Sequence, residues 1–271
     1  MILSIFYDHL AEGAQQRCIP LDEALLLAKR AGIDRVELNC DVACADPAAL
    51  RAQLERAGLR AGSLFRFFDF GHAPQPERVR ELLDTAERMG TRHVLAVPGF
   101  LSPEDDAQAC LARMDEALTR LCEDAASRGI DVLMEDFDST TAPYATARQL
   151  RRFLDAVPAL GCALDTGNFL YAGDDVLAAF ALLRNRIRYV HLKDRARTSR
   201  PGETGTRDAS GCMLYSASVG SGVIPMAECL RLLREIDYDG VLAIEHYGSP
   251  DQLGDMERSA AFVRARSLRC T

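Results

Sequence analysis

Four short apolar runs in the second half of the chain each end on a side chain that can hold a cation. They are VLMED at Glu135, GCALD at Asp165, YVHLKD at His191 and VLAIEH at Glu245. If the runs are strands, three carboxylates and one imidazole point at a common place. That donor set suits a hard or borderline divalent ion such as Mn2+, Mg2+ or Co2+, whereas structural zinc generally recruits thiolates. An ion held this way leaves coordination positions for substrate oxygens, stabilises negative charge developing on a carbonyl oxygen and orients the hydroxyl beside it. The chemistry implied is removal of a proton next to a carbonyl.

Residues this far apart in sequence meet only if the fold carries them to one end of a sheet. Apolar strand-like runs alternate with longer helix-like segments along the whole chain, which predicts parallel strands joined by helical crossovers. Strands are expected at residues 2–6, 35–38, 60–65, 93–97, 131–135, 162–165, 188–191 and 241–245. Helices are expected at 20–31, 47–57, 76–89, 103–128, 144–156, 175–184, 225–236 and 251–267, several opened by proline and stopped by glycine. Eight strand-helix pairs in unbroken order predict an α/β fold, a closed (β/α)8 TIM barrel, as a single domain over residues 1–271. No GxGxxG follows an early strand, so a dinucleotide-binding open sheet is not expected. The four candidate ligands then sit at the carboxyl ends of the fifth to eighth strands, where barrels place working residues. Residues 195–222 form one long connection rich in Arg, Ser, Thr and Gly, expected to act as a lid or substrate loop.

Composition narrows the partners. With 48% hydrophobic and 27% charged residues, the chain can bury a substantial core. A formal net charge of -8 repels polyanions on average, so nucleic acid is not an expected partner. The nine cysteines, Cys270 among them, form no CxxC pair, and the absence of a disulfide framework predicts a reducing cytoplasm. The opening MILSIFYDHL has no basic segment followed by a long apolar one, and no apolar run approaches the roughly 20 residues of a membrane span. No membrane partner is expected.

The motifs VLMEDFDS, GCALDTGNF, YVHLKD and VGSGVIPMAECLRLLREIDYDGVLAIEHYG resemble the xylose-isomerase-like barrels. That superfamily includes sugar-phosphate isomerases and epimerases, ketose 3-epimerases, hydroxypyruvate isomerase, inosose dehydratases and endonuclease IV. The resemblance spans nearly the whole chain and is most specific in the last block. It implies that Glu135, Asp165, His191 and Glu245 are metal ligands, and that Glu135 and Glu245 exchange protons with substrate through a cis-enediolate. Epimerisation needs a proton removed from one face and returned to the other, which two carboxylates can do. The expected substrate is a small polyhydroxylated ketone or aldehyde, and the resemblance also implies a homo-oligomer.

Further substrate-binding positions are expected at Arg197, six residues after His191, and at Asn168, three after Asp165, where many relatives carry histidine. Glu37, in VELN near the end of the second strand, matches a position commonly acidic in the family and is expected beside the substrate or behind the ligands. Lys193 is expected to face the substrate, with Asp194 turned the other way by the strand period. His72 in FDFGHA is within reach of the mouth; as a lone loop histidine it is otherwise expected at the surface, and so is His9. His93 and His246 are expected to be structural. The alternatives are a metal-dependent dehydratase of a keto-cyclitol or keto acid, an abasic-site endonuclease, and a barrel that binds sugar without turning it over. The endonuclease needs a multimetal site that five histidines poorly supply.

Overall fold

The computed structural model describes residues 1–267. Its strands are β1 (Ile2–Phe6), β2 (Arg35–Asn39), β3 (Arg60–Phe67), β4 (His93–Val97), β5 (Asp131–Met134), β6 (Gly161–Asp165), β7 (Ile187–Ala196), β8 (Thr206–Arg207), β9 (Met213–Ala217) and β10 (Val241–Glu245). From β1 to β7 each strand pairs in parallel with the next, and β10 pairs in parallel with both β7 and β1, which closes the ring. The chain is a TIM barrel of eight parallel strands in one domain. Around it lie α1 (Tyr7–Gln16), α2 (Leu21–Arg30), α3 (Cys40–Ala43), α4 (Pro47–Arg56), α5 (Pro76–Met89), α6 (Ala107–Ala126), α7 (Ala147–Ala156), α8 (Asn168–Tyr171), α9 (Val176–Leu183), α10 (Met226–Glu235) and α11 (Gln252–Ser267).

The period of two along each strand divides the apolar residues into two layers. Phe6, Phe65, Leu95, Leu133, Ala163, Tyr189, Val241 and Ala243 fill the inside of the ring. Their neighbours, among them Val36, Leu38, Leu64, Val132, Leu164, Val190, Leu192, Leu242 and Ile244, pack outward beneath the helices. Glu135, Asp165, His191 and Glu245 share the parity of the inner set, two residues on from Leu133, Ala163, Tyr189 and Ala243. The pleat therefore turns all four into the mouth.

Local signals set most of the helix boundaries. Gly90 ends α5 at φ 71°, a left-handed conformation that suits glycine. α6 begins four residues later than the proline at 103 suggested, because the Asp106 side chain accepts from the Ala109 N–H and caps it there. α7 begins at Ala147 because Thr146 and Gln149 form a reciprocal capping box. α1 was not expected from the sequence. Its cap, Phe6, makes no side-chain hydrogen bond, and its buried face consists of His9, Leu10, Gly13 and Ala14, only one of them a large aliphatic residue.

The long connection after the seventh strand is largely ordered. β7 continues to Ala196, and β9 returns antiparallel to it, Asp194 facing Ala217 and Ala196 facing Tyr215, with β8 adding the short outer strand. Asp194 anchors the following turn. Its Oδ1 accepts from the Arg195 and Ile224 N–H groups at 2.8 and 3.1 Å, and its Oδ2 from Gly220 and Gly222 at 2.8 and 2.9 Å. Asp194→Ala leaves several of these donors without a partner, at about 1–3 kcal/mol for each that stays buried. We expect a loss of about 3 kcal/mol, read as a lower urea midpoint at unchanged slope.

Candidate active site

The four inward residues gather at the carboxyl end of the barrel. Donor atoms of Glu135, Asp165 and His191 lie within 4.8 Å of one another, and all three residues are buried. His191 Nδ1 is 2.8 Å from Glu135 Oε2 and 3.5 Å from Glu245 Oε2. Asp165 Oδ1 accepts from the Gly167 and Asn168 N–H groups, both at 2.7 Å, while its Oδ2 is buried with no hydrogen-bond partner. A Cβ at Gly167 would lie 2.5 Å from the Lys193 carbonyl oxygen, so only glycine lets this turn press against β7. Beside the group lies Asp136, fully buried, with neither carboxylate oxygen paired.

Such crowding of anions changes what each group binds. Burial pushes the Asp165 carboxyl up to about 8 in spite of the Lys193 ammonium, and it raises Glu135 against the pull of His191. Asp136 is driven well above the carboxylate range by burial and by Asp165 and Glu135. Burial alone would lower His191, but Glu135, Glu245 and Asp165 outweigh it and carry the imidazole to about 9. A divalent cation answers the same need as these protons. The unpaired Asp165 oxygen, two further carboxylates and one imidazole make a donor set that fits one.

Above the four, β7 adds two cations on the same inward face. Lys193 Nζ lies 2.7 Å from Glu245 Oε1 and from Asn168 Oδ1 and 3.4 Å from Asp138 Oδ2. Burial would lower its pKa, yet Asp138 and Glu245 overcome that and raise it. Arg195 Nη2 meets Asp138 Oδ2 at 2.5 Å, and its Nε is buried and unpaired. A cavity of 440 Å³ opens over this group, walled by Phe6, Phe65, Phe67, Phe137 and Tyr247 and floored by Glu135, Glu245, Lys193 and Asn168. Thr204, Thr206, Leu214 and Ser216 from the segment around β8 and β9 form one side, so the connection expected to be a lid supplies part of the wall. A larger cleft of 790 Å³ opens at the strand beginnings, near Arg35, Arg60, His93 and Arg188. It contains none of the four converging residues and lies at the end of the barrel remote from them.

Three expected substrate contacts lie outside this cavity. Glu37 sits inside the ring below the mouth, accepting from the Ser4 and Ser63 hydroxyls and, at 2.6 Å, from Tyr189 Oη. Tyr189 stands edge-on to His191 at 5.8 Å, so Glu37 lies beneath the four converging residues and does not reach the cavity. Arg197 follows the end of β7 and turns to Asp208 at 2.8 Å, leaving the cavity wall to Arg195. His72 is exposed, as a loop histidine was expected to be, and is bound to Asp69 and Asp105 at 2.5 and 2.9 Å instead of entering the mouth. Asn168 does line the cavity, with its amide nitrogen donating to the Asp136 carbonyl at 3.0 Å.

The remaining histidines serve structure. His9 is buried, contrary to expectation, because it lies on α1 and accepts the His246 N–H at 3.1 Å. The two rings stack at 4.7 Å, and burial lowers the pKa of both. Arg195 and Asp138 were not foreseen as site residues. Arg195 could have been found by extending the inward alternation His191, Lys193, Arg195 past the assumed strand end.

The sequence profile of the Xylose isomerase-like TIM barrel family matches residues 25–266. SgbU of Escherichia coli (strain K12), provisionally named an L-ribulose-5-phosphate 3-epimerase, is 26% identical over 254 residues, 86% of each chain. Among solved structures, D-allulose 3-epimerase from Methylomonas sp. in complex with D-allulose aligns with a TM-score of 0.76 at 19% identity, covering 98% of this chain and 97% of that one. The IOLI protein with a bound zinc atom aligns over the whole of both chains with a TM-score of 0.76 at 17% identity. No helix among the described residues is long and apolar enough to cross a membrane.

Proposed function

Because the chain belongs to the Xylose isomerase-like TIM barrel family, we propose that it is a sugar isomerase or epimerase that uses a divalent cation. It acts on a small polyhydroxylated ketone or aldehyde by moving a proton next to the carbonyl through a cis-enediolate. The observation that carries this reading is the meeting of Glu135 and Glu245 at His191 Nδ1, one from the residue after β5 and one from the end of β10, with β6 and β7 between these strands. Two carboxylates that reach one point from different strands can serve two faces of a bound sugar.

Glu135, Asp165, His191 and Glu245 hold the cation in this proposal. When bound, the cation polarises the substrate carbonyl and the neighbouring hydroxyl, which acidifies the carbon-bound proton. One glutamate removes that proton and the other returns one to the opposite face. Lys193, 2.7 Å from Glu245 and from Asn168, fixes where the Glu245 carboxylate points, and its ammonium is a donor for a substrate oxygen. The aromatic wall of Phe6, Phe65, Phe67, Phe137 and Tyr247 excludes water from the carbanion-like intermediate and offers apolar faces to the sugar C–H groups.

The test is deuterium wash-in. Incubation of the metal-loaded protein with a panel of ketoses and ketose phosphates in D2O is expected to place deuterium on the carbon next to the carbonyl, with chelation stopping it. A panel that shows no exchange would sink the reading. A new conjugated carbonyl absorbance with a keto-cyclitol or keto acid would show instead that the same base and cation carry out dehydration.

A further inference from the structure

A second set of donors lies outside the mouth cavity, where the loops after β3 and β4 meet the start of α6. His72 Nε2 is 2.9 Å from Asp105 Oδ1, and one donor atom from each of His72, Asp105 and Cys110 falls within 4.8 Å of the other two. Each donor is held from behind by a further group. Asp69 Oδ1 lies 2.5 Å from His72 Nδ1, so that nitrogen is occupied and Nε2 is the one turned to Asp105. The Ser102 N–H donates to Asp105 Oδ2 at 2.6 Å, which leaves Oδ1 facing inward. Arg113 Nη2 donates to Cys110 Sγ at 3.1 Å, while its Nε donates to the Gly71 carbonyl at 2.5 Å and ties the thiol to the first loop. Cys110 itself is buried.

We propose that His72, Asp105 and Cys110 form a second cation site, selective for a borderline ion of the zinc class, which fastens the two loops to α6. The donor chemistry sets the choice of ion. One imidazole, one carboxylate and one thiolate match the mixed nitrogen, oxygen and sulfur sets of Zn2+, with water at the fourth position, whereas Mg2+ and Mn2+ prefer oxygen. The pattern around the donors points the same way. A metal-bound histidine usually gives its other ring N–H to a carboxylate, which is the part Asp69 plays, and the ligating carboxylate is in turn hydrogen-bonded, as Asp105 is by Ser102. Bonds of about 2.0–2.2 Å to nitrogen and oxygen and about 2.3 Å to sulfur require the thiol to close on the other two. The His72 and Asp69 side chains are 40% and 55% exposed, so nothing packed above them resists that closure. The competing arrangement is an ion pair alone, with a protonated His72 held between Asp69 and Asp105.

Cobalt separates the two arrangements and separates this site from the cage in the mouth. The cage of Glu135, Asp165, His191 and Glu245 contains no sulfur, so Co2+ bound there gives no thiolate-to-cobalt charge-transfer absorption. The full chain, stripped with chelator and titrated with Co2+, is expected to take up two ions per chain, one of them with that near-ultraviolet band. Cys110→Ser and, separately, His72→Gln are expected to lose the band and one ion while keeping the other. The first substitution is nearly isosteric and the second lies at an exposed position, so both variants should fold, as circular dichroism would verify. One ion without the band, two ions without it, or a band that survives Cys110→Ser would each overturn the site and leave the ion pair.

Discussion

Glu135→Gln and Glu245→Gln are each expected to lower kcat/KM for epimerisation by about 10³-fold, within the 10²–10⁴ that a positioned acid or base contributes. Gln keeps the shape and the oxygen but cannot accept a proton from carbon at a useful rate. Both positions are buried at the cavity floor, and none of the side chains beside them is a base of equal reach. The two-face argument makes a sharper prediction than loss of rate. With one glutamate left, the protein still removes a proton from the epimer whose C–H faces that residue and returns deuterium to the same side. Each single variant should therefore wash deuterium into one epimer without inverting it, and the two variants should choose opposite epimers. Glu245→Gln also removes the charge facing Lys193, which keeps Asp138 and Asn168 as partners, so the ammonium is not stranded. The measurement needs saturating metal, because both residues are also proposed ligands. If either variant inverts its substrate at the parent rate, the two-carboxylate reading is wrong.

The positions of Glu135, Asp165, His191 and Glu245 were legible in the sequence because strand ends are marked twice. An apolar run stops, and its inward parity is fixed by the residue two before, as Leu133, Ala163, Tyr189 and Ala243 show. Arg195 was not legible by the same rule, since β7 runs five residues beyond His191 and polar side chains gave no sign that the strand went on. Its continuation depends on pairing with β9, a contact across some twenty residues that no local pattern announces. Glu37 shows the converse limit. The resemblance left it either beside the substrate or deeper, and its height along the axis is set by neighbouring strands, where Ser4, Ser63 and Tyr189 enclose it below the mouth. His9 was hidden because α1 has no proline start or capping side chain, and its buried face of His9, Leu10, Gly13 and Ala14 gives no continuous apolar stripe.

Chelation is expected to abolish exchange, and the affinity of the stripped protein for its cation should rise steeply with pH. In the metal-free cage, burial carries the Asp165 carboxyl up to about 8 despite Lys193. Burial works the other way on His191, but Glu135 and Glu245 prevail and raise it to about 9. Both groups bind a cation only after losing their protons, so binding releases protons wherever the pH lies below those values. The sign follows directly: lowering the pH fills the sites with protons, and the cation must displace them. For one displaced proton the affinity falls about tenfold per pH unit, so about 10²-fold between pH 8 and pH 6, and more steeply if Asp165 and His191 both release one. Titration calorimetry in buffers of different ionisation enthalpy counts the protons. Asp165→Asn removes one of the competing sites along with one ligand, so it should weaken binding at pH 8 and flatten the slope below it. An affinity that stays level from pH 8 to pH 6 in the parent protein would mean that the cation is held by groups already ionised, and that these two residues do not hold it.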